Sequence, residues 1–385
     1  MTPTRDPRQQ EKPKPNFDNL LRTLRRQGPP GPVPFLELAS DPGMIQAVLG
    51  DKHNWGSLAL FGGLEIAERQ KRELSGTAIL DLTLRFYCEN GYDYVPVWTG
   101  PQFPRSNYRL GTDPTVVGDS FDGTRIWQDE VTGPIQNWAD FEAYPWPKPE
   151  EMSYRAVEYL NSIVPEGMKI SANFFGIFEI SSWLMGFQPL SYALFDQPDL
   201  VAAICQRVGD LTVATVAHVA AVDNVGVAFL GDDLGFATAT LVSPAVLRKH
   251  IFPQHRRVVQ AVHAVGKPAL FHSCGNVYSV MEDIIENGFE GKHSYEDKIM
   301  PVEEVYRRWG DRIAVLGGVD MDLLARGSEE DVRRRVRQIL EVCGAEGTGY
   351  CLGTGNTATN YIPKQNYLAM LDEGRRWNEE HFGAS

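Results

Sequence analysis

Cysteine is scarce in this chain. Only five occur in 385 residues (Cys88, Cys205, Cys274, Cys343 and Cys351), an odd number at irregular spacing. That excludes a disulfide framework and suits a reduced, cytoplasmic protein. Long apolar runs are also lacking, and no stretch reads as a transmembrane helix. The start, Met1-Thr-Pro-Thr-Arg-Asp-Pro-Arg8, has no apolar core and is no secretory signal. Positive charge is in deficit. Lys and Arg total 37 against 50 Asp and Glu, giving a net charge of −13, which argues against nucleic acid as the main partner. The basic run Arg333-Arg334-Arg335 follows Glu329, Glu330 and Asp331 and reads as a solvated helix face. There is no Ser nucleophile elbow, no P-loop and no H-E-x-x-H.

What the chain does have is an alternation of short apolar runs and helical periodicity. Residues 1–15 are polar and proline-bearing and read as a disordered tail. Phe17, Leu20, Leu21 and Leu24 follow at helical spacing behind Asn16 as a cap. Strands are expected at 33–39, 94–98, 168–173, 225–230, 268–274, 289–294, 312–316 and 347–352, nearly all alternating with helices. Eight βα units imply a closed parallel barrel of the TIM type, (β/α)₈, covering residues 16–385 as one domain behind an N-terminal helical extension. A doubly wound open sheet is the competing architecture. Residues 99–150 break the rhythm with Gly-Pro pairs, isolated Trp and the run Tyr144-Pro-Trp-Pro-Lys-Pro149, and read as an insertion after the second strand, capping one end.

The run Pro268-Ala-Leu-Phe-His-Ser-Cys-Gly-Asn276 carries the chemistry. On a strand, residues i and i+2 face the same way, so His272 and Cys274 point together at a strand end. Cys351, in Gly349-Tyr-Cys-Leu-Gly353, has the same setting and offers a third soft ligand. One His and two Cys suit zinc with a position left open for substrate. The bland alternative is a His and a Cys filling core space, as Cys88, Cys205 and Cys343 do on helices.

Barrel sites lie at the C-terminal strand ends, and polar residues collect there. Asp232, Asp233 and His293 are candidates for acid–base work or for orienting His272. Asn173, Asp320, Asn356 and Glu37, a carboxylate among apolar residues on the first strand, are candidate substrate contacts. Gly353-Thr-Gly-Asn-Thr-Ala358 formally matches a dinucleotide fingerprint, but only one helix remains after it, so the glycines shape the loop beside Cys351 instead.

Phe271-His-Ser-Cys-Gly-Asn276, Leu316-Gly-Gly-Val-Asp320, Cys351-Leu-Gly-Thr-Gly-Asn356 and Tyr361-Ile-Pro-Lys-Gln-Asn-Tyr367 resemble the uroporphyrinogen decarboxylase superfamily over roughly residues 30–380, and within it the zinc- and corrinoid-dependent methyltransferase branch. The resemblance implies a (β/α)₈ barrel, zinc on His272, Cys274 and Cys351, and a corrinoid carried by a separate protein. It implies methyl transfer between a small methylated compound, an aryl methyl ether for instance, and that corrinoid protein. Thiol methylation is the reverse direction. The decarboxylases carry an Arg-rich first strand; here it reads Pro34-Phe-Leu-Glu-Leu-Ala-Ser40, which sets decarboxylation aside. A homodimer is compatible with all of this, and no membrane partner is expected.

Overall fold

The computed structural model describes residues 14–50, 76–104, 108–112, 124–129 and 131–383, with backbone alone at 108–112 and 124–128. The segment 1–13, where the disordered tail is expected, lies outside the described residues. Strands are β1 (Tyr94–Trp98), β2 (Tyr108–Thr112), β3 (Thr124–Gln128), β4 (Lys169–Phe175), β5 (Val225–Gly231), β6 (Ala269–His272), β7 (Gly291–His293), β8 (Ala314–Leu316) and β9 (Tyr350–Cys351). Seven of them form one parallel sheet in the order β1-β4-β5-β6-β7-β8-β9. The sheet curls in a TIM-type α/β barrel with helices around it. β2 and β3 pair antiparallel in a separate hairpin inside the 99–150 insertion.

The expected strand at 33–39 is reduced to a single bridge, Phe35 to Leu352. Pro34 has no N–H to give a ladder, although its carbonyl accepts from Leu352 N at 2.9 Å. On the other side the Tyr94 hydroxyl takes the place of a strand, meeting both Glu37 N and Glu37 O. Asn173 Nδ2 donates to Leu38 O at 2.7 Å. The segment thus fills the gap between β9 and β1 through side chains.

Helices begin where the caps foretell. Asn16 Oδ1 accepts from Asn19 N at the start of Phe17–Arg25, and Pro42 opens Pro42–Leu49. Ser243 caps Pro244–Val246, and Leu247–Ile251 winds as a π-turn before Phe252–His263. One expectation needs correcting. Pro198–Ala220 is a 23-residue helix with a mean hydropathy of 1.4 over its most apolar stretch, long and apolar enough on length and composition alone to cross a membrane. Over half of that stretch is buried, with Leu200, Ile204, Val208, Leu211 and Val216 in the core. Burial on two faces is what makes a barrel helix this apolar.

Candidate functional site

β6 ends at His272, and the chain turns at Gly275, where φ is +73°. The two-residue alternation brings His272 and Cys274 together as expected, with His272 Nε2 3.4 Å from Cys274 Sγ. The third member of the cluster is Asp233. Its Oδ1 lies 3.5 Å from His272 Nε2 and accepts from Cys274 N at 2.9 Å. Among the described residues this is the one group of three His, Cys or acidic side chains whose ligand atoms all lie within 4.8 Å of one another.

Cys351 does not join it. Its electrostatic neighbours are Asp93, just before β1, and Arg22, which binds the Gly347 carbonyl ahead of β9; both belong to the opposite end of the barrel. The reason is strand tilt. Cys351 is in register with Leu316, His293 and His272 in turn. Strands about 4.8 Å apart and tilted about 36° shift in-register residues by about 2.8 Å along the barrel axis per strand, so about 8.5 Å over three.

The neighbours of the cluster fix it in place. His272 Nδ1 and His293 Nδ1 are 2.8 Å apart, so one donates to the other. If His272 presents its Nε2 lone pair to a metal, its Nδ1–H donates and His293 accepts. Burial lowers the His272 pKa to about 3 and pushes His293 well below its ordinary value, so both rings are neutral. Burial pushes the Cys274 thiol well up, and Asp233 adds to this, while Asn356 and Ser294 pull it down. Asp233 is also lifted by desolvation, although 43% of its side chain is exposed, on the open side of the site. Asn356 Nδ2 donates to Cys274 Sγ at 3.1 Å.

The other expected site residues are placed differently. Asp232 and Asp233 are neighbours on an extended segment and face opposite ways. Asp232 is fully buried, accepts from Phe178 N and Glu179 N at the start of the helix Ile177–Met185, and meets His255 Nε2 at 2.7 Å. It serves the fold. Asp232→Ala should cost about 3 kcal/mol, because it strands two helix N–H groups and a buried imidazole; the denaturation midpoint reads this, with metal content unchanged in the protein that folds. Asn173 is buried and occupied with Leu38 and Ser171. Asp320 caps the helix Met321–Arg326 through Leu323 N. Glu37 is fully buried; its carboxyl meets Thr354 N at 2.8 Å and Thr354 Oγ1 at 2.6 Å.

Two features have no sequence signal. Ser294, just after β7, has φ +81°, a left-handed backbone that non-glycine residues rarely adopt. Lys292 is buried, its pKa drawn down to about 8 by desolvation, and its Nζ donates to the Ser294 carbonyl at 2.5 Å.

The donor set fits zinc, the metal expected from sequence. Bonds of about 2.0–2.3 Å to N, O and S set tetrahedral edges of about 3.3–3.8 Å. The His272–Cys274 and His272–Asp233 separations, 3.4 and 3.5 Å, are edges of that length. The ring is neutral, its far nitrogen is held, and the open side is at the barrel mouth.

A family model described as uroporphyrinogen decarboxylase (URO-D) matches residues 127–377. The fold is similar to that of a solved methyltransferase from Methanosarcina mazei, with a TM-score of 0.66 and 15% identity over 93% of this chain and 98% of that one. A xylose isomerase-like TIM barrel protein from Mycobacterium smegmatis is much more distant, at a TM-score of 0.34 and 12% identity over 78% of this chain and 90% of that one. A comparison with curated proteins found no match. With its parallel barrel and a family match over about two thirds of its length, the chain belongs to the uroporphyrinogen decarboxylase family.

Proposed function

We propose that this protein is a zinc-dependent methyltransferase that works with a separate corrinoid protein on a small O-methyl compound, and that Asp233, His272 and Cys274 hold the metal. The observation that carries the reading is one oxygen, one nitrogen and one sulfur donor within 4.8 Å of one another at the barrel mouth, with the nitrogen 3.4 Å from the sulfur and 3.5 Å from the oxygen. Three protein ligands and an open side are the arrangement of a catalytic rather than a structural zinc. The fold shared with a methyltransferase is consistent with this chemistry.

Bound there, zinc would act as a Lewis acid on an ether oxygen, making it a better leaving group for a cobalt nucleophile brought by the partner. The chain's own residues prepare that site. Burial keeps His272 neutral, and its Nε2 lone pair is available when Nδ1–H donates to His293. His293 holds the ring by its other nitrogen. The Cys274 N–H orients the Asp233 carboxylate, whose exposed side faces incoming substrate. The first strand has no arginine to gather a polycarboxylate, and Glu37 there is buried, which speaks against decarboxylation of a tetrapyrrole.

Elemental analysis tests the reading. Wild type should carry about one zinc per chain. His272→Ala, Cys274→Ser and Asp233→Ala should lose it, whereas Cys351→Ser should keep it. Zinc-loaded wild type should then form methylcobalamin from cob(I)alamin and an aryl methyl ether. A folded wild type that takes up no zinc under reducing conditions would sink the proposal.

A further inference from the structure

The Cys274 sulfur is approached by Asn356, whose own position is tightly held. Its Oδ1 accepts from Thr357 N at 2.8 Å, which settles which end of the amide is nitrogen, and Nδ2 therefore donates to the sulfur at 3.1 Å. The Asn356 carbonyl is held in turn by Thr354 Oγ1 at 2.7 Å, and Thr354 by Glu37.

The Asn356 loop is held to the end of β7 as well, where Tyr295 N donates to Gly355 O at 3.1 Å.

We infer that Asn356 is a positioning residue that clamps the Cys274 sulfur, keeping it a metal ligand rather than a methyl acceptor. The inference rests on the metal reading above. A metal-bound thiolate is permanently deprotonated and remains a nucleophile, so in an enzyme that handles electrophilic methyl groups it is exposed to self-methylation. In that side reaction an S–CH₃ bond forms from a sulfur lone pair, the methyl–leaving-group bond breaks, and the leaving group departs with its electron pair. Donors to the sulfur lower its lone-pair energy, and thiolate reactivity falls about threefold for each unit of basicity lost.

The test uses full-length protein loaded with Co²⁺ for spectroscopy and with Zn²⁺ for alkylation by methyl iodide, the Cys274 peptide being followed by mass. In Asn356→Ala, the sulfur-to-cobalt charge-transfer band should move to longer wavelength, and methylation of Cys274 should speed up about 3- to 10-fold over wild type. Asn356→Leu keeps the size of the side chain and removes the donor. It should match Asn356→Ala in band and rate, and it carries the test if the alanine variant does not fold. Cobalt uptake with band and rate unmoved in the variants would overturn the clamp and leave the metal standing. Absence of any charge-transfer band in wild type would overturn both.

Discussion

Glu37→Gln should leave stability unchanged near pH 4.5 and raise it by several kcal/mol at pH 9. Glu37 is fully buried, and desolvation lifts its carboxyl from 4.5 to about 8, the two Thr354 bonds only partly opposing this. In the folded protein at neutral pH the group is therefore protonated, and the hydrogen bonds fit that state. One oxygen accepts from Thr354 N, the O–H donates to Thr354 Oγ1, and the threonine hydroxyl is free to donate to Asn356 O. A glutamine amide makes the same pattern with no proton to lose. The sign follows from linkage. Between about pH 4.5 and 8 the folded state holds a proton that the unfolded state has released, so wild-type stability is fully present below 4.5 and falls as pH rises through this window. The full span is of the order of 4 kcal/mol. Denaturant midpoints of wild type and variant should coincide at low pH and separate steadily as pH rises. Parallel curves would mean that Glu37 is ionised in the fold. Glu37→Ala, by contrast, should be destabilised at every pH.

The second large effect is expected from Gly275→Ala, and in parallel from Gly235→Ala. The loops after β5 and β6 touch backbone to backbone. A Cβ on Gly275 would lie 2.5 Å from the Gly235 carbonyl carbon and oxygen, and one on Gly235 would lie 2.6 Å from the Cys274 carbonyl oxygen. Neither contact can be relieved by turning a side chain. Gly275 also has φ +73°. These loops carry Asp233 and Cys274, joined by the Cys274 N–H to Asp233 bond. Prising them apart by one methyl group costs about 1–3 kcal/mol of overpacking and breaks the geometry of the donor set. Zinc affinity should fall about 10- to 100-fold, as for loss of a supporting contact in a metal site, with only a modest loss of secondary structure. Competition with a chromophoric chelator measures it; an unchanged affinity would mean that the metal does not need both loops together.

Much of this site was legible because one strand suffices to read it. His272 and Cys274 share a face by alternation alone, and the position at the end of β6 follows from the βα rhythm. The same rule, applied to Asp232-Asp233, says that one carboxylate points in and its neighbour out, but not which. The structure decides by giving Asp232 a helix end to cap. Cys351 misled for a reason intrinsic to barrels: similar strand-end context on two strands does not mean similar height, since tilt separates them. Asn356, five residues further along in the loop, is the residue that reaches the sulfur. Glu37 looked exposed to function because a carboxylate in an apolar strand needs a partner. The partner, Thr354, is 317 residues away and could not be read from local pattern. The strained backbone of Ser294 has no signature either, for serine gives no warning of a left-handed conformation.

The closure between residues 33–41 and 350–358 has a bearing on how the molecule comes into being. Phe35 pairs with Leu352, Ser40 with Ala358, and Glu37 with Thr354. These are among the most sequence-distant contacts in the chain, and the loop that holds Asn356 against the sulfur depends on them. Contacts of such separation form late and set the pace of folding. During synthesis, His272, Cys274 and Asp233 leave the ribosome well before the segment that closes the ring, so the sulfur is made early and sheltered last. For that interval the nascent barrel is an open sheet with an unguarded thiol at its rim, and a supply of metal at that stage would protect it before the fold can.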